Sequence, residues 1–245
     1  MIGISMRIVS LLVAAVLALG PEIALAVDTG LLWEKGRLEL KSGKTAEAVE
    51  TFSQLIANDP QAVYYFSRGM AYVAQGKLDA GIKDYGKAIS IDPSKPVYFL
   101  QRGAAHFEDG QYKQAVDDCS KVIEVEANDY RPWSTRGEAL FNLGRIQDAL
   151  KDINRSITLN PESGELRRLR GDLLTAAGDY PGAIGEYDIA LGRKPADPTA
   201  HNNRGVVHAL LGRNREAMED FKKALETAVA PSSDVPVQGF GGTAW

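Results

Sequence analysis

The chain has 245 residues, 28 of them basic and 32 acidic, for a net charge of −4, and 44% are hydrophobic. A balance so near neutral, with lysine and arginine spread in step with acids, excludes the concentrated basic face that nucleic acid or anionic lipid requires. Cys119 is the single cysteine, so no internal disulfide can form and stability must come from packing.

Residues 1–26 read as a cleavable export signal. Arg7 supplies the positive start, Ile8 to Leu19 is an uncharged apolar run, and Gly20 and Pro21 break it ahead of the small-x-small site Ala24-Leu25-Ala26. The 12 residues of that run cover about 18 Å as a helix, short of the ~30 Å hydrocarbon core. Cleavage after Ala26 and a periplasmic or secreted location are therefore expected, with no stable membrane insertion afterwards. No cysteine directly follows the run, which excludes a lipoprotein anchor.

Beyond the signal the sequence is periodic. Glycines recur at Gly36, Gly69, Gly103, Gly137, Gly171 and Gly205, at intervals of 33, 34, 34, 34 and 34, and a second glycine follows each by seven residues. A small residue stands twelve after each first glycine (Ala48, Gly81, Ala115, Ala149, Ala183, Ala217), and a larger one sixteen after (Phe52, Tyr85, Cys119, Ile153, Tyr187, Phe221). X-Pro breaks close units at Pro60, Pro93, Pro161 and Pro195, while Ala127 and Val229 hold that slot without proline. Glycine within a helix costs about 1 kcal/mol against alanine, so six in one phase require a packing cause. The first glycine and the later small residue let two backbones approach. The second glycine suits a left-handed helix stop, and the residue before proline is driven out of the helical region.

The spacing predicts helices over 29–42 and 45–58, 62–75 and 78–91, 96–109 and 112–125, 130–143 and 146–159, 163–177 and 180–193, and 198–211 and 214–229. Each unit is helix, turn, helix with an apolar face that it cannot bury alone. The units run over about 29–61, 62–95, 96–129, 130–163, 164–197 and 198–230, inside a single repeat domain at 27–230. Residues 231–245 are rich in glycine and read as a flexible C-terminal tail.

This pattern resembles the tetratricopeptide repeat (TPR) family over about residues 29 to 230. The resemblance implies an all-α fold, a right-handed α-α superhelix (solenoid) of six TPR helix pairs, whose first helices line a concave groove that binds polypeptides. It implies a bacterial export-compartment scaffold. The alternatives are a chaperone-like carrier of extended exported chains and an accessory subunit of an envelope enzyme. The family's carboxylate clamp does not carry over, because the clamp's lysine and asparagine positions hold Trp33, Arg37, Ser67, Val97 and Gln101.

A charged ladder runs through the repeats. Before each first glycine stand Lys35, Arg68, Arg102, Arg136, Arg170 and Arg204, and sixteen residues later Thr51, Asp84, Asp118, Asp152, Glu186 and Asp220. The five units with arginine are the five with an acid. Their joint occurrence predicts a contact within a unit or with the preceding one, a task that suits the arginine fork.

The expected groove residues grade from apolar to charged. Trp33, Val63, Phe66, Met70, Val97, Leu100 and Phe107 form an apolar stripe, followed by Arg131, Glu138, Arg168 and Asp172. Exposed aromatic and methionine side chains are common anchors, so the expected partner is a protein or peptide segment with an apolar end and an end of mixed charge. The same stripe could instead pack between neighbouring first helices, and burial of Phe66, Met70 and Leu100 would decide for that. No catalytic constellation emerges from the serines, Cys119 or the three histidines His106, His201 and His208. The reading is a non-enzyme without metal or cofactor, of undetermined oligomeric state.

Overall fold

In a computed structural model the structure describes residues 21–229. Residues 1–20 of the expected signal and the expected tail at 231–245 lie outside the described residues. The described chain is twelve α-helices with no strand: α1 Pro21–Lys41, α2 Thr45–Asn58, α3 Ala62–Ala74, α4 Leu78–Ile91, α5 Pro96–Glu108, α6 Tyr112–Val125, α7 Tyr130–Asn142, α8 Ile146–Leu159, α9 Gly164–Ala176, α10 Tyr180–Arg193, α11 Pro198–Leu210 and α12 Asn214–Val229. Helices pair in sequence order, α1 with α2 through α11 with α12. The all-α class and the six helix pairs are thus present. Two compact units divide at Ser94 and Lys95, with α1–α4 in one and α5–α12 in the other.

The helix limits follow from the punctuation. All six second glycines have positive φ, from 73° to 82°. At Gly144 the turn is a Schellman motif: Gly144 N donates to Phe141 O at 2.8 Å and Arg145 N to Leu140 O at 2.9 Å, satisfying carbonyls that the helix end would otherwise leave bare. Second helices end on an extended residue, as at Asp92, with φ −135° and ψ 90° ahead of Pro93. Glu126 takes a similar φ of −130° with no proline after it, so proline reinforces this stop without being needed for it. The one large boundary difference is α1, which begins at Pro21 instead of residue 29. Proline is well suited to a first helical turn, where its missing N–H leaves no bond unmade.

Each hairpin closes on its first glycine. A Cβ on Gly137 would lie 2.9 Å from Ile153 Cδ1 and 3.4 Å from Ala149 O, and one on Gly171 would lie 2.6 Å from Tyr187 Cε1. Only a hydrogen at these positions leaves room for the large residue sixteen places on, which is fully or almost fully buried at Phe52, Tyr85, Cys119, Ile153 and Tyr187. Burial pushes the Cys119 thiol up to about 12, so Cys119 is an unreactive core filler.

The ladder forms within each unit. Arg136 Nε and Nη2 donate to the two carboxylate oxygens of Asp152 at 2.7 and 2.9 Å, and Arg68–Asp84, Arg102–Asp118 and Arg204–Asp220 repeat this fork. Arg170 pairs with Glu186. The remaining Nη1 reaches the second helix of the preceding unit: Arg68 to Ser53 at 3.1 Å, Arg136 to Ser120 at 3.0 Å, Arg170 to Asn154 at 3.1 Å, and Arg204 to Asp188. One guanidinium therefore ties three helices together. In the first unit Glu39 of α1 replaces the missing acid, accepting from Thr51 Oγ1 at 2.7 Å and lying 3.7 Å from Lys35 Nζ.

Arg136 and Asp152 are mostly buried, their side chains 20% and 7% exposed, so removing one partner strands the other. Arg136→Ala is expected to lower unfolding stability by roughly 2 kcal/mol, read by urea denaturation. Stability unchanged within a few tenths would show the ladder to be decorative.

Candidate functional site

The second unit carries a depression on its first-helix side. It has a volume of about 290 Å³ and is lined from α5, α7 and α9, including Leu100, Gln101, Arg131, Ser134, Glu138 and Glu165. A second hollow of about 230 Å³ adjoins it through Glu138 and Leu169, with Phe141, Arg168 and Asp172 on its walls. Four of the expected charged residues, Arg131, Glu138, Arg168 and Asp172, are thus brought together on two successive first helices, α7 and α9. Repetition of the same helix face at each unit puts them there.

Local bonds hold them in position. Arg131 folds back on the N-cap of α7, with Nη2 donating to Asp129 Oδ2 at 2.6 Å. Arg168 Nη1 donates to Asp172 Oδ2 at 2.9 Å. Asp172 Oδ1 accepts from Tyr187 Oη at 2.8 Å and from Asn203 Nδ2 at 2.8 Å, which links α9 to its own α10 and to the first helix of the next unit. Thr175 Oγ1 lies 3.2 Å from the same tyrosine hydroxyl. Burial, reinforced by the charge of Glu165, pushes the Glu138 carboxyl up to about 7, while Arg168 opposes the shift. The groove therefore holds one carboxyl that titrates near neutrality between fixed charges of both signs.

The apolar half differs from expectation. Phe66, Met70 and Leu100 are only 3%, 5% and 5% exposed, so the stripe expected on them is packing and not a solvent face. Phe66 stacks at 5.6 Å on Tyr85 of its own hairpin. Trp33 is half-buried, 5.7 Å from Phe52 and 5.4 Å from Tyr64, and Val63 packs against the same cluster. Phe107 lies 5.7 Å from Tyr112, and Val97 is exposed. Sequence reasoning had named Gln101 only against the carboxylate clamp, and had left out Thr135 and Asn203. Asp172 followed sixteen places on from Gly171 by a tyrosine, whose hydroxyl needs a buried acceptor, was the signal for the network.

The histidines belong to the ladder. His201 Nδ1 is 3.3 Å from Asp220 Oδ1, and His106 and His208 each lie 3.9 Å from a ladder aspartate. Among the described residues no group of three or more His, Cys, Asp or Glu could hold a metal ion, and no helix is long and apolar enough to cross a membrane.

Sequence profiles described as tetratricopeptide repeat match residues 134–198, 176–233 and 31–62, and one described as TPR repeat matches 69–110. No curated protein matches the sequence. Among solved structures, the crystal structure of MamA is 25% identical over 65% of this chain and 94% of that one, with a TM-score of 0.60. YrrB, described as a TPR protein with an unusual peptide-binding site, is 23% identical over 74% of this chain and 93% of that one, TM-score 0.59. A tetratricopeptide repeat protein from Parabacteroides merdae is 20% identical over 81% of this chain and 79% of that one, TM-score 0.72. The last two share the fold alone. With its periodic glycines, paired helices and matching profiles over most of its length, this chain belongs to the tetratricopeptide repeat family.

Proposed function

We propose that this chain is an exported interaction scaffold whose second unit binds an extended polypeptide segment along α5, α7 and α9. The carrying observation is the pair of adjoining hollows in which Arg131, Glu138, Glu165, Arg168 and Asp172 stand beside Gln101, Ser134 and Thr135. An extended segment offers backbone donors and acceptors along its whole length, and charged side chains at intervals. A wall that alternates charge with neutral hydrogen-bonding groups suits such a ligand. YrrB, a protein of the same fold, is described as having a peptide-binding site, which supports this class of partner. The carrier reading drew on an apolar stripe, and burial of Phe66, Met70 and Leu100 removes most of that stripe. A repeat fold that presents an extended concave surface supports reading the chain as a binding protein.

Export is part of the same proposal, supported by Arg7, the apolar run Ile8 to Leu19 and Ala24-Leu25-Ala26. Cleavage after Ala26 would shorten α1 at its start and leave Leu32 and Trp33, which pack against the first unit's core, in place.

In peptide-array screening followed by calorimetry, ligands with basic side chains spaced along an extended segment are expected to bind, and Glu165→Lys to weaken them roughly tenfold with the helical circular dichroism retained. Affinity indifferent to Glu165 and Arg168 would reject the groove. Glu138 carries a pH signature. Its folded value of about 7 lies above the ordinary 4.5, so between these the native state keeps a proton that the unfolded chain has lost. Stability from this group therefore falls as pH rises through that window and is level above it. Glu138→Gln is expected to abolish the slope and add roughly 2 kcal/mol at mildly alkaline pH, measured by denaturation across pH. N-terminal sequencing of the chain from the cell envelope should begin at Val27, whereas recovery from the cytoplasm with the residues before Val27 still attached would end the export proposal.

A further inference from the structure

Both ends of the array bare the surfaces by which its repeats join one another. On α12, Met218 and Leu225 are 73% and 68% exposed. Thirty-four residues back in each case stand Ile184 and Leu191, and thirty-four before those Leu150 and Ile157. In the interior these positions are covered: Leu191 and Ile157 are buried, Leu150 packs in the cluster that holds Leu166 and Leu173 of the following first helix, and Ile184 packs with Val207 of the next. On α1, Leu31 and Leu38 are 67% and 66% exposed. Their counterparts Tyr64 and Ala71, Leu166 and Leu173, and Ala200 and Val207 are all buried, the first four of them in clusters with the preceding second helix. Each end thus presents an apolar pair seven residues apart on one helix face. Terminal repeats ordinarily carry a polar outer face; here an apolar pair interrupts it at each end.

We infer that a second copy of this chain is the occupant of each end: α1 of one copy docks on α12 of another, placing Leu31 and Leu38 against Met218 and Leu225 as one repeat follows the next. The argument is continuity with the chain's own internal repeat junctions, which pair these same two positions, and it is independent of the groove. Such a contact is heterologous, so it repeats from copy to copy. The same register sets its strength. Lys35 falls where later units have their arginine, and Lys222 where the preceding second helix offers Ser53, Ser120, Asn154 or Asp188. The two lysines are held by Glu39 and Glu226 of their own helices and repel each other across the joint. Association is consequently weak, reversible and strengthened by salt.

Sedimentation velocity of the full chain from micromolar to hundreds of micromolar tests this. The expected result is a mass that rises with concentration and with salt. Leu38→Asp and Met218→Asp should each weaken association at least tenfold, and Lys222→Asp should tighten it about tenfold. Association through the apolar residues before position 27 would be indifferent to all three. An equimolar mixture of Leu38→Asp and Met218→Asp chains should form pairs and nothing larger, because each variant retains the end that the other lacks. A wild-type chain that stays single under all conditions overturns the inference. If shortening that chain to end at Val229 then releases association, the α12 face belongs to residues 230–245 instead. Association lost in Met218→Asp but intact in Leu38→Asp also overturns it, in favour of a symmetric pairing of α12 faces.

Discussion

Each hairpin depends on a place where no side chain stands. The glycine on the first helix leaves a hollow into which the residue sixteen positions later inserts, with Ile153 under Gly137 and Tyr187 under Gly171. A methyl group at either glycine would collide with that residue, so the two helices would have to separate. Separation would lengthen every other contact of the hairpin, including the arginine fork one position before the glycine. The same close approach suits the small residue twelve places on, whose backbone carbonyl lies 3.2 to 3.5 Å from the missing Cβ at Gly69, Gly103 and Gly137.

On that seat the ladder adds direction. A fork to a carboxylate sets both distance and plane, and at Arg68, Arg136, Arg170 and Arg204 the third guanidinium nitrogen extends the tie to the preceding repeat. Aromatic neighbours cover several of these arginines, as Trp133 does Arg136 at 5.0 Å and Tyr65 does Arg68 at 5.6 Å. The ions are thereby shielded from water without being left unpaired, the condition under which a partly buried ion pair holds. The first unit shows how the arrangement tolerates loss: Lys35, Glu39 and Thr51 satisfy one another by a shorter route on α1 and α2.

The helices and their pairing were legible because period, glycine and X-Pro signals act locally. Every second helix lies where the spacing put it, and all six first helices end one residue earlier because the last residue before the turn glycine leaves the helix. The ladder was legible through joint absence: the unit without arginine also lacks the acid. Burial of the would-be groove was not. Phase reveals which side of a helix Phe66, Met70 and Leu100 share, but whether a neighbour covers that side depends on the packing of helices distant in sequence. Glu138 was named as a groove residue, yet its raised carboxyl depends first on burial and then on the charge of Glu165, twenty-seven positions away, and no local pattern contains either. The start of α1 was misjudged for a simpler reason, as proline was read only as a breaker where it can also begin a helix.

The buried thiol of Cys119 has a practical corollary. The chain contains no other cysteine, and this one is sealed in the α5–α6 hairpin and kept protonated at neutral pH. Maleimide chemistry on the native molecule would pass it by. A cysteine engineered at any solvent position would be the sole addressable attachment point, so spectroscopic labels could be placed one at a time on an otherwise unaltered background.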